Sequence, residues 1–448
     1  MRRMIKSLSA IQIIMFSFLI TILRGSILLS LPVSSADGNA VPYIDALFTA
    51  TTSTCVTGLV TLPTVSAWSF FGQLIILILI QIGGMGVITV VSGMMLLMKK
   101  KFGIKDRILI GESFNLNSIN GIVKFLKKVI KITFIIESIG ALLYMTVFVP
   151  EFGIKGIWIS IFTSISAFCN AGIDVIAENS LCNYALNSIV NFTTMFLIIS
   201  GGIGYIVLLD LEKILKTRER RHFKFLSLHS KIVLSMTLFL IILGAFLFFV
   251  IEYNNPDTIS NFSLYDKIMV STFQSVTTRT AGFATIPQEN FTDASAFITM
   301  LLMFIGGSPT GTAGGIKTVT LIVLVASAMS VIKNKRTVDL FNRQLSIEVI
   351  KKAGAVFMVS LFIVICSTFF LLLCSNGDFI DIVYETVSAA ATVGLSRAFT
   401  DSLNFVGKII IILTMYLGRV GPISLAFAFS ANKSNENIIT NPVEEISV

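Results

Sequence analysis

The sequence predicts an all-α polytopic membrane protein built from four parallel repeats, and three observations carry that prediction. First, 54% of the 448 residues are hydrophobic and only 13% are charged, with a mean hydropathy of +0.87. So few charges cannot cover a water-exposed surface, whereas a lipid-exposed one needs almost none. Second, several apolar runs reach the length of about 20 residues that crosses a ~30 Å hydrocarbon layer. Third, four short polar segments each carry a glycine, and these glycines recur at intervals of 114, 110 and 112 residues.

The clearest apolar runs are Ile75 to Met98, Ile232 to Ile251 and Ala353 to Cys374. The run Leu8 to Leu31 follows Arg2, Arg3 and Lys6 but is too long for a signal peptide, so it reads as a retained helix. The formal charge of +9 is concentrated: nine of the 34 Lys and Arg lie between Lys99 and Lys131, seven between Lys213 and Lys231, and six between Lys333 and Lys352. The intervening connections are acidic, with Asp37, Glu151, Asp174, Glu178, Glu252, Asp257, Glu289, Asp293, Asp378 and Asp381. By the positive-inside rule this places both termini and three basic loops in the cytoplasm of a multi-pass cell-membrane protein. The same distribution argues against nucleic acid as a partner. Cys55, Cys169, Cys182, Cys366 and Cys374 have no metal-ligand spacing and are odd in number, which argues against a disulfide framework.

Internal repetition organises the whole chain. The segments TTSTCVTGL, SISAFCNAGI, QSVTTRTAGF and SAAATVGLS place glycines at Gly58, Gly172, Gly282 and Gly394. A long apolar helix precedes each, at 8–31, 127–149, 229–251 and 353–374. A helix too short to span follows, at 43–55, 157–169, 266–278 and 380–391. After the glycine comes a second long helix, at 68–98, 187–210, 295–332 and 404–430. The expected units are therefore 1–110, 111–220, 221–345 and 346–448. An even number of spans per unit returns the chain to the same side, so the units are parallel and surround an axis along the membrane normal.

A spanning helix, a half-helix and a second spanning helix make a membrane-pore-membrane unit. Four of them give eight spanning helices and four half-helices around one central pore. Non-helical backbone at membrane depth must be buried or line water, so the loops after the half-helices are expected to face that pore. Their carbonyl oxygens can replace a cation's hydration shell, and the C-terminal dipole of each half-helix favours positive charge there. Glycine suits the position because inward carbonyls need backbone angles that a Cβ resists.

These segments resemble the Trk/Ktr/HKT superfamily of potassium transporters. QSVTTRTAGF, FIGGSPTGTAGGIKT (Phe304 to Thr318) and YLGRVGP carry the resemblance, which covers essentially the whole chain. In its compact length the chain is most similar to the Ktr membrane, ion-translocating subunits. The resemblance implies potassium uptake through a filter made by Val56, Thr57 and Gly58, by Asn170, Ala171 and Gly172, by Thr280, Ala281 and Gly282, and by Thr392, Val393 and Gly394. It further implies a homodimer in membrane lipid, a cytosolic nucleotide-binding regulatory ring as partner, no cofactor bound to this chain, and potassium, with sodium as a possible requirement, as the ions. Glycine at all four positions resembles the potassium-selective members. None of the segments matches TVGYG.

Arg419 lies 25 residues after Gly394, at the offset that gives Gly83 after Gly58 and Gly307 after Gly282. One reading is an arginine that snorkels to the interface. The other is a fixed positive charge beneath the filter, facing a water-filled cavity. The run Gly306, Gly307, Ser308, Pro309, Thr310, Gly311, Thr312, Ala313, Gly314, Gly315 cannot stay helical, because proline removes a donor and glycine forfeits propensity. It is either a kinked span or a movable gate crossing the pore, and the family resemblance favours the gate.

The glycines of QIGGMGV (Gly83, Gly84, Gly86) and SGGIGY (Gly201, Gly202, Gly204) read as close-packing points rather than nucleotide loops. Glu137, inside an apolar run, is an ion ligand, a partner for a neighbouring helix or an interfacial group. His222 and His229 sit in a basic loop and carry no ligand signature. No HExxH, His cluster or buried acid pair is present, which excludes the common membrane-enzyme constellations. An alternating-access transporter, for sodium or less selective for monovalent cations, would show inverted repeats and intramembrane acids, and the chain has few of either signal.

Overall fold

The computed structural model describes residues 9–98, 102–114, 120–216 and 226–421. Arg2, Arg3, Lys6, the lysines at 99–101, Arg218, Arg220, Arg221, His222 and residues 422–448 lie outside the described residues.

Helix α1 (Ala10–Leu29) opens with a capping box in which Ser9 and Gln12 each receive the other's backbone amide. The half-helix α2 (Tyr43–Cys55) packs on it, followed by a short α3 (Thr64–Ala67). The second apolar run forms α4 (Phe70–Met85) and α5 (Val87–Leu97), and α6 (Ile104–Ser113) follows. The pattern then recurs: α7 (Ile122–Phe152), half-helix α8 (Ile154–Cys169), α9 (Ser188–Gly202) and α10 (Tyr205–Lys216). Next come α11 (Leu228–Glu252), half-helix α12 (Leu264–Thr277), α13 (Asp293–Phe304) and α14 (Thr318–Ile332). The last set is α15 (Ile347–Cys374), half-helix α16 (Phe379–Ala391) and α17 (Phe405–Val420).

The basic connection before α15 holds a small hairpin that the sequence reading did not anticipate, β1 (Asp339–Leu340) paired antiparallel with β2 (Arg343–Gln344). Its turn residues Phe341 and Asn342 both have positive φ, the geometry of a tight two-residue hairpin loop.

Among the described residues four helices can cross a membrane by length and composition, Ile11–Leu29, Ile122–Phe152, Leu228–Glu252 and Ile347–Cys374, and up to six if each bent pair counts as one span. The second apolar runs, expected as spanning helices, are not single straight helices. The run 68–98 bends by 97° at Gly86, and the run 187–210 bends by 101° at Ile203–Gly204. Gly86 and Gly204 have φ of 84° and 90°, a region that side chains with a Cβ avoid, so the helix cannot continue through them. The run 295–332 is interrupted between Phe304 and Thr318, and α17 stops at Gly421, where φ is again 90°.

The second helix of each set packs on the half-helix of the next. Thus α4 meets α8, α9 meets α12, α13 meets α16, and α17 returns to α2. The outward faces of the long helices expose Leu142, Phe239, Phe246 and Phe362, as a lipid-solvated surface requires.

Candidate functional site

The four glycines converge. A Cβ on Gly58 would stand 2.6 Å from the Ala171 carbonyl oxygen and 3.1 Å from Gly394 Cα. On Gly172 it would meet the Ala281 carbonyl at 2.6 Å, on Gly282 the Val393 carbonyl at 2.5 Å, and on Gly394 the Thr57 carbonyl. Each glycine therefore abuts the carbonyl that precedes the next glycine, and the series closes on itself. All four have φ between 65° and 103°. Val56, Asn170, Thr280 and Thr392, two residues earlier, have positive φ without being glycine. Such strain in four equivalent places marks a functional constraint.

Local chemistry explains why the chain turns there. Half-helices α2, α8 and α16 each end in a Schellman closure, with Thr57 N bonded to Thr52 O (2.8 Å), Ala171 N to Ser166 O (2.8 Å) and Val393 N to Ser388 O (2.9 Å). Helix side chains then brace the loop: the Thr52 hydroxyl accepts from Gly58 N (2.9 Å), the Ser388 hydroxyl from Gly394 N (3.0 Å), and the Ser166 hydroxyl from Ile173 N (3.2 Å). In the third turn Thr277 donates its hydroxyl to Phe283 O (2.6 Å), and Ala281 N bonds Thr277 O, four residues back rather than five. Gly394 carries the tightest approach of the set.

A cavity of about 300 Å³ opens on one side of the ring. All four glycines border it, together with the carboxylates Asp174, Glu178, Glu289 and Asp401. Burial raises the Asp174 carboxyl to about 6, opposed by the Ile176 backbone amide, which donates to it at 3.2 Å.

Segment 306–315 lies on the opposite side and is held by backbone bonds to the bend between α9 and α10. Ser308 N donates to Gly202 O (2.9 Å), Thr312 N to Gly201 O (3.2 Å), and Tyr205 N to Thr310 O (3.2 Å). Of its hydroxyls, Ser308 pairs with Thr318 (3.1 Å) and Thr312 donates to Phe168 O (3.2 Å), while Thr310 has no partner. A Cβ on Gly314 would strike the Thr392 side chain, so the segment touches the fourth turn as well as the second. Pro309 and the bends at Thr310 and Gly315, both at positive φ, exclude a helix across it.

Arg419 does not snorkel to an interface. Its guanidinium donates to the carbonyls of Thr312 and Gly83, joining the end of α17 to the segment and to α4. Gly83, Gly84 and Gly201 are close-packing points as expected, since a Cβ there would strike Thr54 O, Cys169 and Phe168 O. Gly204 is both a close-packing point, since a Cβ there would strike Pro309 O, and a bend, whereas Gly86 only makes a bend. Glu137 is buried and accepts from Gln81 Nε2 (3.0 Å), a bond between neighbouring helices α7 and α4, with its second oxygen unpartnered.

Three side chains in this region carried no role in the sequence reading. Lys317, inside the quoted GGIKT run, donates to Ala313 O (2.6 Å) and Gly314 O (3.3 Å), and its isolation in an apolar stretch was the available signal. Lys408 pairs with Asp45, and Arg397 with Asp381 at 2.7 Å; nothing in one dimension links residues 45 and 408.

A closed ring of glycine turns inside a bundle of apolar helices defines a class of membrane cation carriers. The family model described as TrkH, cation transport protein, matches residues 5–439, and the chain belongs to that family. It is 39% identical over 436 residues to Ktr system potassium uptake protein B of Bacillus subtilis, covering 97% of this chain and 96% of that protein. It is 37% identical over 443 residues to potassium/sodium uptake protein NtpJ of Enterococcus hirae, with the same coverages. The crystal structure of the potassium transporter TrkH from Vibrio parahaemolyticus superposes with a TM-score of 0.72 at 16% identity, over 92% of this chain and 84% of that one, and so shows the fold. The protein is a multi-pass transporter of the TrkH/Ktr family and not an enzyme.

Proposed function

We propose that this chain takes up potassium through the ring formed by residues 56–58, 170–172, 280–282 and 392–394, as the ion-translocating subunit of a Ktr-type system. The single observation that carries this reading is the cyclic approach of the four glycines to one another's preceding carbonyls. Carbonyls so placed can replace the water around a dehydrated cation. Each of the units 1–110, 111–220, 221–345 and 346–448 supplies one quarter of the ring.

Segment 306–315 acts as the gate, with Arg419 as its anchor. Both termini face the cytoplasm on the charge asymmetry of the connections, which puts the acidic cavity outside, where it concentrates cations. The names of the curated relatives support potassium as the cargo. A homodimer and a cytosolic nucleotide-binding ring complete the assembly, the ring docking by charge complementarity on the connections 99–131 and 213–231. Replacing Arg218, Arg220 and Arg221 by Glu should abolish co-purification of that partner; undiminished co-purification removes the segment from the interface.

Electrical recording from proteoliposomes under a potassium gradient tests the whole reading. A potassium-selective current supports it. Uptake driven only by an imposed sodium gradient favours the second reading, a sodium-coupled or less selective transporter, which the relative named as a potassium/sodium uptake protein keeps in view.

A further inference from the structure

We propose that Arg279 is the positioning residue of the third filter turn, tying it to α11 through Thr237 and thereby setting the ring's cation affinity and its preference for potassium over sodium. This inference rests on the ring's being the selective element.

Four turns that must present equivalent carbonyls are not closed in the same way. In the first, second and fourth, the amide preceding the glycine reaches back five residues into the half-helix. In the third it reaches back four, and α12 ends earlier, at Thr277. The residue three before the glycine is Cys55, Cys169 or Ala391 in the other turns, each the last of its half-helix. In the third it is Arg279, which lies outside the helix and next to Thr280, a residue at φ 66°.

Arg279 is 6% exposed and so belongs to the interior. Its guanidinium donates to Thr237 O (3.4 Å) and Thr237 Oγ1 (3.2 Å), and its Nε has no partner. No carboxylate pairs with it among the described residues. A buried guanidinium without a counter-ion is costly, and an apolar side chain of similar volume would fill the same space. What the guanidinium adds is a planar fork that holds two acceptors on a neighbouring helix. The third turn thus gains from a side chain the fixed position that the other turns derive from their own backbone. A void of about 10 Å³ beside Arg279 is bordered by Gly202, Ile203 and Gly307, so the tether stands where ring, bend and gate segment meet.

The test is rubidium uptake into proteoliposomes, with sodium as competitor, for T237V, R279Q, R279K and T237V/R279Q. The expected KM for rubidium rises about three-fold in T237V and about ten-fold in R279Q, sizes that fit the loss of one or two charge-assisted hydrogen bonds. Sodium should compete better in both, while Vmax per folded protein stays near that of the parent. R279K keeps the charge but not the fork, and should resemble T237V. The double variant should show no shift beyond R279Q, because the two residues act as one unit. Unchanged KM and sodium competition in T237V and R279Q overturns the proposal, as does a double variant whose shifts add. Full recovery by R279K assigns the effect to charge alone and also overturns the tether. If R279Q does not fold, T237V decides, since it preserves the charge and nearly the volume. Gly58→Ser run in parallel separates the two failures. If it also leaves selectivity unchanged, the filter reading falls; if it alters it while the Arg279 set does not, only the tether falls.

Discussion

Arg419, near the end of α17, donates a hydrogen bond to the main-chain carbonyl of Thr312, 107 residues earlier in the glycine-rich segment 306–315. The contact adds to the backbone bonds that tie the segment to the bend after α9, from Ser308 N to Gly202 O, Thr312 N to Gly201 O and Tyr205 N to Thr310 O. Deleting most of residues 308–314 should therefore raise potassium flux several-fold. Arg419→Ala should raise it less, because it frees the strand and removes a repelling charge but leaves the obstruction in place. Flux ratios at matched expression check both; a deletion variant no faster than the parent reduces the segment to a kinked connection.

Serine at the four glycines should not act equally. A Cβ meets backbone most closely at Gly394, next at Gly282, with the Val393 carbonyl oxygen at 2.5 Å, and at 2.6 Å at both Gly58 and Gly172. Positive φ adds about 1 kcal/mol or more at each site. Gly58→Ser should admit more sodium with uptake retained, whereas Gly394→Ser should lose most uptake. Competition between potassium and sodium across the four serine variants gives the ranking.

Lys408 and Asp45 join α17 to α2, the seam where the last set of helices meets the first, with side chains 17% and 10% exposed. Lys408→Met leaves a nearly buried carboxylate unpaired and should destabilise the protein by about 3 kcal/mol. Asp45→Leu with Lys408→Leu should recover most of that loss. Thermal unfolding in detergent distinguishes the two outcomes.

Asp174 borders the acidic cavity with its carboxyl raised by burial to about 6. It is charged above that pH and neutral below it. Lowering the external pH from about 7 to about 5 should thus weaken cation attraction and raise the apparent KM for potassium. Asp174→Asn should raise KM at the higher pH and flatten the dependence. Uptake measured across that range in both proteins tests it, and an unchanged slope in the variant places the titrating group elsewhere.

The number of glycine turns, their spacing and the short helices before them were legible because each is local. Hydropathy marks the long helices, and polar stretches of about 12 residues cannot span. Arg419 was legible as the one cation standing where other repeats place glycine. The glycine-rich segment was legible as non-helical because Pro309 and five glycines oppose a helix whatever surrounds them.

Other features were settled only in three dimensions. Gly83, Gly84 and Gly86 look alike in sequence, but packing against Thr54 and Cys169 keeps the first two helical, while the third adopts φ 84° and turns the chain. The partners of Arg419 and Lys408 are carbonyls and a carboxylate far away in the chain, and hydropathy carries no trace of them. Sequence by itself determined that four equivalent turns exist, because equivalence is a matter of spacing. Tertiary structure decided which carbonyl each glycine faces, because that depends on distances between segments more than 100 residues apart, and that the third turn is held differently, because Arg279 meets Thr237 on another helix.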